Sequence, residues 1–333
     1  MVFHIENRRY TGSKAKLSTW ILDLITENCK GEIFADIFSG TGVIAATALQ
    51  FYNHIILNDY LFSNIVIYKA FFANGQWNKF KIMKIINEYN KIEPGELDNN
   101  YFSKNFGNKY FSNNNAKIIG FIRDDIEKKK TKLTQKEYYV LLASLIYSVD
   151  KIANTVGHYD AYIKKPINDN SFNINLIEPL KCRKVEIYRE DVNLLARKIF
   201  ADIVYLDPPY NSRQYSRFYH LLETLIKWDK PKLYGVALKP IPENTSEYCK
   251  TNASLFFADL IENLNCKYIA VSYNNTYFSK SNSSKNKITL EEIKDILDLK
   301  GQTKVFEKNH KYFNAGKTYF NDHKEFLFIT KTN

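Results

Sequence analysis

The stretch Ala201–Tyr210 reads Ala-Asp-Ile-Val-Tyr-Leu-Asp-Pro-Pro-Tyr. Asp207 offers a carboxylate that accepts hydrogen bonds, Pro208 a carbonyl expected to lie outside any sheet ladder, and Tyr210 a flat face for stacking. Together they suit a planar group bearing an exocyclic NH₂, such as adenine or cytosine. The lone pair of that amine is delocalised into the ring and is a poor nucleophile. Two acceptors on its two hydrogens favour a tetrahedral nitrogen and localise the lone pair, which is electrostatic preorganisation around developing charge. The same tetrapeptide also reads as a strand followed by a Pro-Pro turn, with Asp207 a cap.

A second group of residues suits a nucleotide-like ligand. Ile33–Gly42 runs Ile-Phe-Ala-Asp-Ile-Phe-Ser-Gly-Thr-Gly, a short apolar strand entering a Gly-x-Gly loop. Gly40 and Gly42 let a ligand approach the backbone closely. Ala45 and Ala46 stand where the third glycine of a dinucleotide fingerprint would fall, which weakens a pyrophosphate reading. His54–Asn58 is a second apolar strand ending at Asp59. An acid about 20 residues after such a loop can hydrogen-bond ribose hydroxyls, and it can equally cap the next helix. Glu190-Asp191 follows a third strand, Val185–Tyr188, as a polar strand end.

These residues need an α/β scaffold to meet. Ile203–Leu206 has the continuous apolar character of a buried parallel strand, and two prolines cannot continue it. Strand carboxyl ends are the ligand side of an open α/β sheet. Helical spacing predicts helices over Lys14–Asn28, Val43–Phe51, Ile65–Phe72, Lys79–Tyr89, Ala116–Ile126, Thr134–Val149, Val192–Phe200, Ser254–Leu264 and Leu290–Leu297. Tyr268–Tyr273, Lys304–Lys308 and Glu325–Thr330 read as further strands. Ordinary crossovers need only a dozen or so residues, whereas the second strand ends at Asn58 and the third begins at Val185. An inserted domain over Leu61–Lys184 is therefore expected, with residues 1–60 and 185–333 forming the other domain. In the insert, basic residues interleave with Tyr101, Phe102, Phe106, Tyr110, Phe111, Tyr159 and Tyr162. That pattern suits phosphate contacts plus base stacking, or aromatics tucked into a core. Arg213 and Arg217 are expected within reach of whatever occupies Tyr210. Ser279–Lys287 is a low-complexity stretch, expected to be mobile.

At 333 residues with 45% hydrophobic content the chain supports one large domain or two ordinary ones. Its net charge of +11, with pI about 9.1, points to a polyanionic partner, most simply nucleic acid. An AT-rich genome would also enrich lysine. The four cysteines, Cys29, Cys182, Cys249 and Cys266, are scattered without C-x-x-C spacing, and the six histidines form no ligand cluster. Neither a zinc framework nor a disulfide scaffold is indicated, and no metal is expected. Residues 1–10 carry no apolar core of a signal peptide, and no run of about 20 apolar residues spans a membrane. The expectation is a cytoplasmic protein of a reducing compartment.

Taken in order, Arg9–Lys16, Asp36–Gly42, Asp59, Asp191, Asp207–Tyr210, Val271–Asn275 and Glu325–Ile329 resemble the N6-adenine-specific DNA methyltransferases. The resemblance is to the group whose cofactor loop precedes the Asp-Pro-Pro-Tyr motif. Asp207–Thr224 looks like type II restriction-modification methylases in particular. The resemblance implies a Rossmann-like methyltransferase sheet with an inserted, mainly helical target-recognition domain at 61–184. It implies S-adenosylmethionine as cofactor, lined by Tyr10, Lys14, Asp36, Gly40 and Gly42, with Asp59 on the ribose and Asp191 on the adenine edge. Asp207 would sit between cofactor and target, and Asp207 and the Pro208 carbonyl would receive the N6 hydrogens. Tyr210 would stack on an adenine flipped out of double-stranded DNA, its face mattering more than its hydroxyl. No membrane and no obligatory protein partner are implied. N4-cytosine methylation uses the same amine geometry, RNA or protein-amide methylation is a further alternative, and a catalytically silent DNA-binding subunit is the reading from another class. The recognition site implied is a short palindrome, with CATG the first to test.

Overall fold

The computed structural model describes residues 2–167, 169–277, 285–310 and 323–333. The chain divides into two compact units. One comprises Lys14–Tyr60, Arg183–Tyr215 and Asn244–Asn333. It is built on a seven-stranded sheet of β1 (Ile33–Asp36), β2 (His54–Asn58), β3 (Lys184–Tyr188), β4 (Phe200–Leu206), β5 (Asn265–Asn274), β6 (Gly301–Asn309) and β7 (Lys324–Thr332). The order is β3-β2-β1-β4-β5-β7-β6. The strands from β3 to β5 are parallel, and β7 runs antiparallel between β5 and β6. This is the α/β class expected, with chain order reversing at β1 and β4.

Alternation along the strands decides which residues face which layer. Ala35, Ile56, Val204, Leu206, Ile269 and Val271 pack in one core with the helices Val192–Ala196, Ala253–Asn263 and Leu290–Lys300. On the alternate positions Phe34 stacks against Tyr52 and Tyr205. The helices Ser18–Asn28 and Val43–Ala48 bury Ile21, Leu22, Ile25, Ile44 and Ala45. Each fully buried Val, Leu or Ile contributes roughly 1.5–3 kcal/mol, so the sheet positions are the firmest part of the unit. Several helix boundaries differ from expectation, the two that follow by the most. The first helix starts at Ser18 rather than Lys14, because Lys14 lies in a turn closed by the Leu17 amide on its carbonyl. The helix after Asp191 ends at Ala196, and β4 already begins at Phe200. Residues 279–284 of the low-complexity stretch lie outside the described residues.

The second unit comprises Met1–Ser13, Leu61–Cys182 and Ser216–Glu243. It is helical, with Phe62–Phe71, Lys79–Tyr89, Tyr101–Phe106, Asn113–Lys129, Gln135–Ile152 and His220–Lys227 as its longer elements. Local capping explains several starts. Thr134 and Glu137 form a capping box on the longest helix, and Asn100 caps Tyr101–Phe106. The expected insertion thus gains two segments remote from it in sequence, and specific bonds hold them. Glu223 accepts from the amides of Phe62 and Ser63 at 3.0 and 2.7 Å, placing a carboxylate at a helix N-terminus. Buried Arg123 donates to the carbonyls of Leu225 and Ile226 at 2.9 and 3.0 Å, at a helix C-terminus where a cation is favourable. Arg8 is buried with its guanidinium on Asn64 and over the Tyr10 ring.

The aromatic residues of the insert resolve mostly to core. Phe102, Phe106, Tyr110, Phe111 and Tyr159 are buried, and Phe102, Phe106 and Tyr110 pack ring against ring. Burying aromatic area outweighs leaving it exposed for a ligand, so these five are not available to stack on bases. Lys129 and Lys130 pair with Asp125 and Glu127 along their own helix.

Candidate active site

The sheet unit brings most of the expected residues to the carboxyl ends of β1, β2 and β4. Asp36 closes β1, Asp59 follows β2 and Asp207 follows β4. The turn after β1 runs through two left-handed residues, Gly40 at φ 51° and Gly42 at φ 77°, a conformation that favours glycine. Ser39 ties the turn down: its amide donates to the Asn58 carbonyl at 3.0 Å, and its hydroxyl donates to the Asp36 carbonyl at 2.5 Å. The Gly40 amide donates to Asp59 Oδ2 at 3.0 Å. Loop and acid are therefore directly bonded.

Asn58, to which the sequence reading gave no role, staples three strand ends. Its amide nitrogen donates to the carbonyls of Ile37 and Glu190 at 3.2 and 3.1 Å, and its oxygen accepts from the Glu190 amide at 2.9 Å. The only sequence signal was a polar residue ending an apolar strand. Asp191 is an N-cap: Oδ1 accepts from the amides of Asn193 and Leu194 at 2.9 and 3.2 Å, and Oδ2 accepts from the Tyr60 hydroxyl.

Asp36 is buried, and its Oδ1 has no hydrogen-bond partner among the described residues. Burial pushes its carboxyl well above the usual range, and the nearby carboxylates of Asp207 and Asp59 push the same way. A buried acid beside two others, facing a glycine turn, matches a cationic amine better than an anion. The ammonium and ribose hydroxyls of S-adenosylmethionine fit this donor and acceptor set, with Asp36 and Asp59 as acceptors and the glycine turn as the close backbone approach.

Around Asp207 the structure adds what spacing could not show. Its Oδ1 accepts from the Tyr210 hydroxyl and lies 3.2 Å from the Lys14 ammonium. Lys14 also donates to the Tyr210 hydroxyl, sits 4.8 Å above the Tyr210 ring, and lies 3.8 Å from Glu325 Oε2 on β7. Burial lowers the Lys14 pKa, but the carboxylates of Asp207 and Glu325 outweigh it and hold the lysine charged. Burial raises the Asp207 carboxyl against the opposing pull of Lys14 and Tyr210. Glu325 is pushed up to about 7, chiefly by burial. It stood in the matched stretch without a role; the signal was a charge beside the apolar run Phe326–Ile329. Tyr210 packs edge-on against Tyr273, with ring centroids 4.7 Å apart. The Pro208 carbonyl follows the last ladder residue of β4.

Two expected residues belong to the helical unit. Tyr10 stacks on Tyr219 with centroids 4.5 Å apart and planes 5° from parallel. Arg217 donates to the Pro240 carbonyl at 2.7 Å. Arg213 lies in the sheet unit, where its amide donates to Asn211 Oδ1 at 3.1 Å. No helix among the described residues is long and apolar enough to cross a membrane.

Residues 10–296 match a family described as D12 class N6 adenine-specific DNA methyltransferase. The chain is 34% identical over 325 residues to the type II methyltransferase M.FokI of Planomicrobium okeanokoites, covering 90% of this chain and 48% of that protein. It is 34% identical over 313 residues to the modification methylase StsI of Streptococcus sanguinis, covering 88% and 48%. It is 30% identical over 330 residues to the type II methyltransferase M.NlaIII of Neisseria lactamica, covering 95% of each. The chain thus spans about half the length of the first two relatives and nearly all of the third.

Proposed function

This chain belongs to the D12 class N6 adenine-specific DNA methyltransferases, and on that footing we propose that it methylates the exocyclic N6 of an adenine. The substrate is a short specific sequence in double-stranded DNA, and the cofactor is S-adenosylmethionine. The biological setting is the modification half of a type II restriction-modification system, in the cytoplasm. The observation that carries the reading is the meeting of Asp207, Asp36, Asp59 and the Gly40–Gly42 turn at the carboxyl ends of adjacent parallel strands.

S-adenosylmethionine supplies an electrophilic methyl group on a sulfonium. Asp36 and the turn hold the amino-acid end, and Asp59 the ribose. Asp191 contributes through the helix it caps and through Tyr60. The target N6 is paired and stacked inside a duplex, so the base must be flipped out at a cost of a few kcal/mol. Stacking on Tyr210 offsets part of that cost. Asp207 and the Pro208 carbonyl accept the two N6 hydrogens and aim the lone pair at the methyl. In that geometry the C–N bond would form as the S–CH₃ bond breaks, with S-adenosylhomocysteine as the leaving group and the surplus N6 proton passing to water. Positioning carries much of the acceleration, and no covalent enzyme intermediate is needed.

The test is transfer of a tritiated methyl group to duplex DNA, followed by nucleoside analysis. N6-methyladenine is expected, with Asp207→Ala abolishing transfer while DNA binding persists, because the carboxylate acts in the transition state. N4-methylcytosine as product, or tight DNA binding with no transfer by the unaltered enzyme, would overturn the proposal. CATG-containing duplexes are the first substrates to try.

A further inference from the structure

One oxygen of the Asp207 carboxylate, the group proposed to receive the target amine, is already engaged. Oδ1 accepts from the Tyr210 hydroxyl and faces the Lys14 ammonium at 3.2 Å. An incoming N–H that takes that oxygen competes with Lys14 for it. Lys14 is only 5% exposed, and a buried ammonium cannot be left without a partner. Water does not offer an escape at that depth, and the Tyr210 hydroxyl that Lys14 also reaches is neutral, so a second carboxylate is needed to balance the charge.

Glu325 is placed to be that acceptor. It enters from β7, opposite Asn274 of β5, and its side chain is 6% exposed. Its Oε2 lies 3.8 Å from the Lys14 ammonium and has no hydrogen bond among the described residues. A shift of the ammonium by about an ångström would close a charge-assisted hydrogen bond there, for which N···O is about 2.7–2.9 Å. The lysine side chain is a flexible four-carbon stem that permits such a shift without moving the backbone.

We infer that Glu325 is a positioning residue for methyl transfer: it receives the Lys14 ammonium when the target amine takes over Asp207, so that Asp207 is freed without stranding a buried charge. This rests on the reading that Asp207 engages the target amine. It gives Lys14 two stations. On Asp207 it balances the charge of that carboxylate in the absence of substrate. On Glu325 it leaves the carboxylate open while staying near the developing charge. The carboxyl of Glu325 is raised by burial and by Asp207 and opposed by Lys14, so approach of the ammonium favours its ionised form.

The experiment is single-turnover methylation by the full chain carrying Glu325→Gln, which keeps the shape and removes the charge. The turnover rate should fall about tenfold or more, the loss expected for one charge-assisted bond, while the dissociation constants for S-adenosylmethionine and DNA stay within about twofold. Glu325→Asp, which restores the charge, should recover part of the rate. Combined with Lys14→Met, the Glu325→Gln loss should shrink, since no ammonium remains to be received. Such non-additivity marks the two residues as a coupled unit, and a merely structural role for Glu325 would not produce it. An unchanged rate in Glu325→Gln, losses that simply add, or a loss carried wholly by cofactor affinity would each overturn the inference. An insoluble Glu325→Gln protein would leave the Asp variant and the Lys14 cycle in the Asp background to decide by the same criteria. Absence of transfer by the unaltered enzyme would overturn the underlying reading and this inference together.

Discussion

The Tyr210 hydroxyl donates its hydrogen bond to the Asp207 carboxylate three residues earlier in the same turn. A residue singled out for its ring thus has a polar role as well, before any substrate arrives. The Asp207 oxygen it binds is the one facing Lys14.

Tyr210→Phe removes the hydrogen bond to Asp207 and keeps the ring. Its methylation rate should fall by less than about tenfold, the net value of a single hydrogen bond. Tyr210→Ala removes the stacking face as well and should lose roughly 5-fold to 150-fold, from about 1–3 kcal/mol per stacked base. A 2-aminopurine at the target position should brighten on binding, and more so with Tyr210→Ala. Equal rate losses in the Phe and Ala variants would assign the main contribution to the hydroxyl.

Asp59 is bonded to the Gly40 amide at 3.0 Å, so it orders the turn in addition to its proposed role on the ribose. Asp59→Ala should weaken cofactor binding by about 1.5–3 kcal/mol, the range for a bond to a charged group, measured by calorimetry with S-adenosylmethionine. A dissociation constant unchanged by the substitution would remove the ribose from Asp59.

Sequence recognition is expected in the helical unit. Because Met1–Ser13 and Ser216–Glu243 fold with Leu61–Cys182, exchanging only the central segment with a relative of different specificity would sever the bonds from Glu223 and Arg123. Exchanging all three segments should give a folded protein that methylates the donor's site. A folded three-segment chimera that still methylates the original site would locate recognition in the sheet unit.

Stability should depend on pH through the buried acids. Glu325 titrates near 7 in the folded protein, against an ordinary value of 4.5. Between those values the folded chain keeps a proton that the unfolded chain releases, so the contribution of Glu325 to stability is greatest below about 4.5 and falls as pH rises toward about 7. Asp36 and Asp207, raised mainly by burial, act with the same sign. The buried His220 and His323, held below the usual imidazole range, oppose this at the acidic end, so the clean readout is a difference: between about pH 5 and about pH 8 the urea midpoint of the parent should lose ground relative to that of Glu325→Gln. Equal slopes in both proteins would exclude Glu325 as a source.

The strands and their ligand-bearing ends were legible in the sequence for a local reason. Runs such as Phe34-Ala35, Ile55–Leu57 and Ile203–Leu206 are apolar on both faces and end in turn-forming residues, so a few neighbouring residues suffice to mark them. Gly40, Gly42, Asp59 and Asp207 could be picked out because each stands at such an end. The helical character of the insert followed from periodicity in the same way. What tertiary structure decided lies at long sequence separation. Lys14 meets Asp207 and Glu325 from opposite ends of the chain, and β7 enters between β5 and β6. Asn58 staples Ile37 to Glu190, and the two oxygens of Asp191 are taken by a helix cap and Tyr60. The insert's aromatics read equally well as ligands or core until packing buried five of them. Periodicity reports which face of an element is apolar, but the partner across that face is chosen by chain topology and by the need to satisfy each buried charge and polar group, and no local pattern encodes that choice.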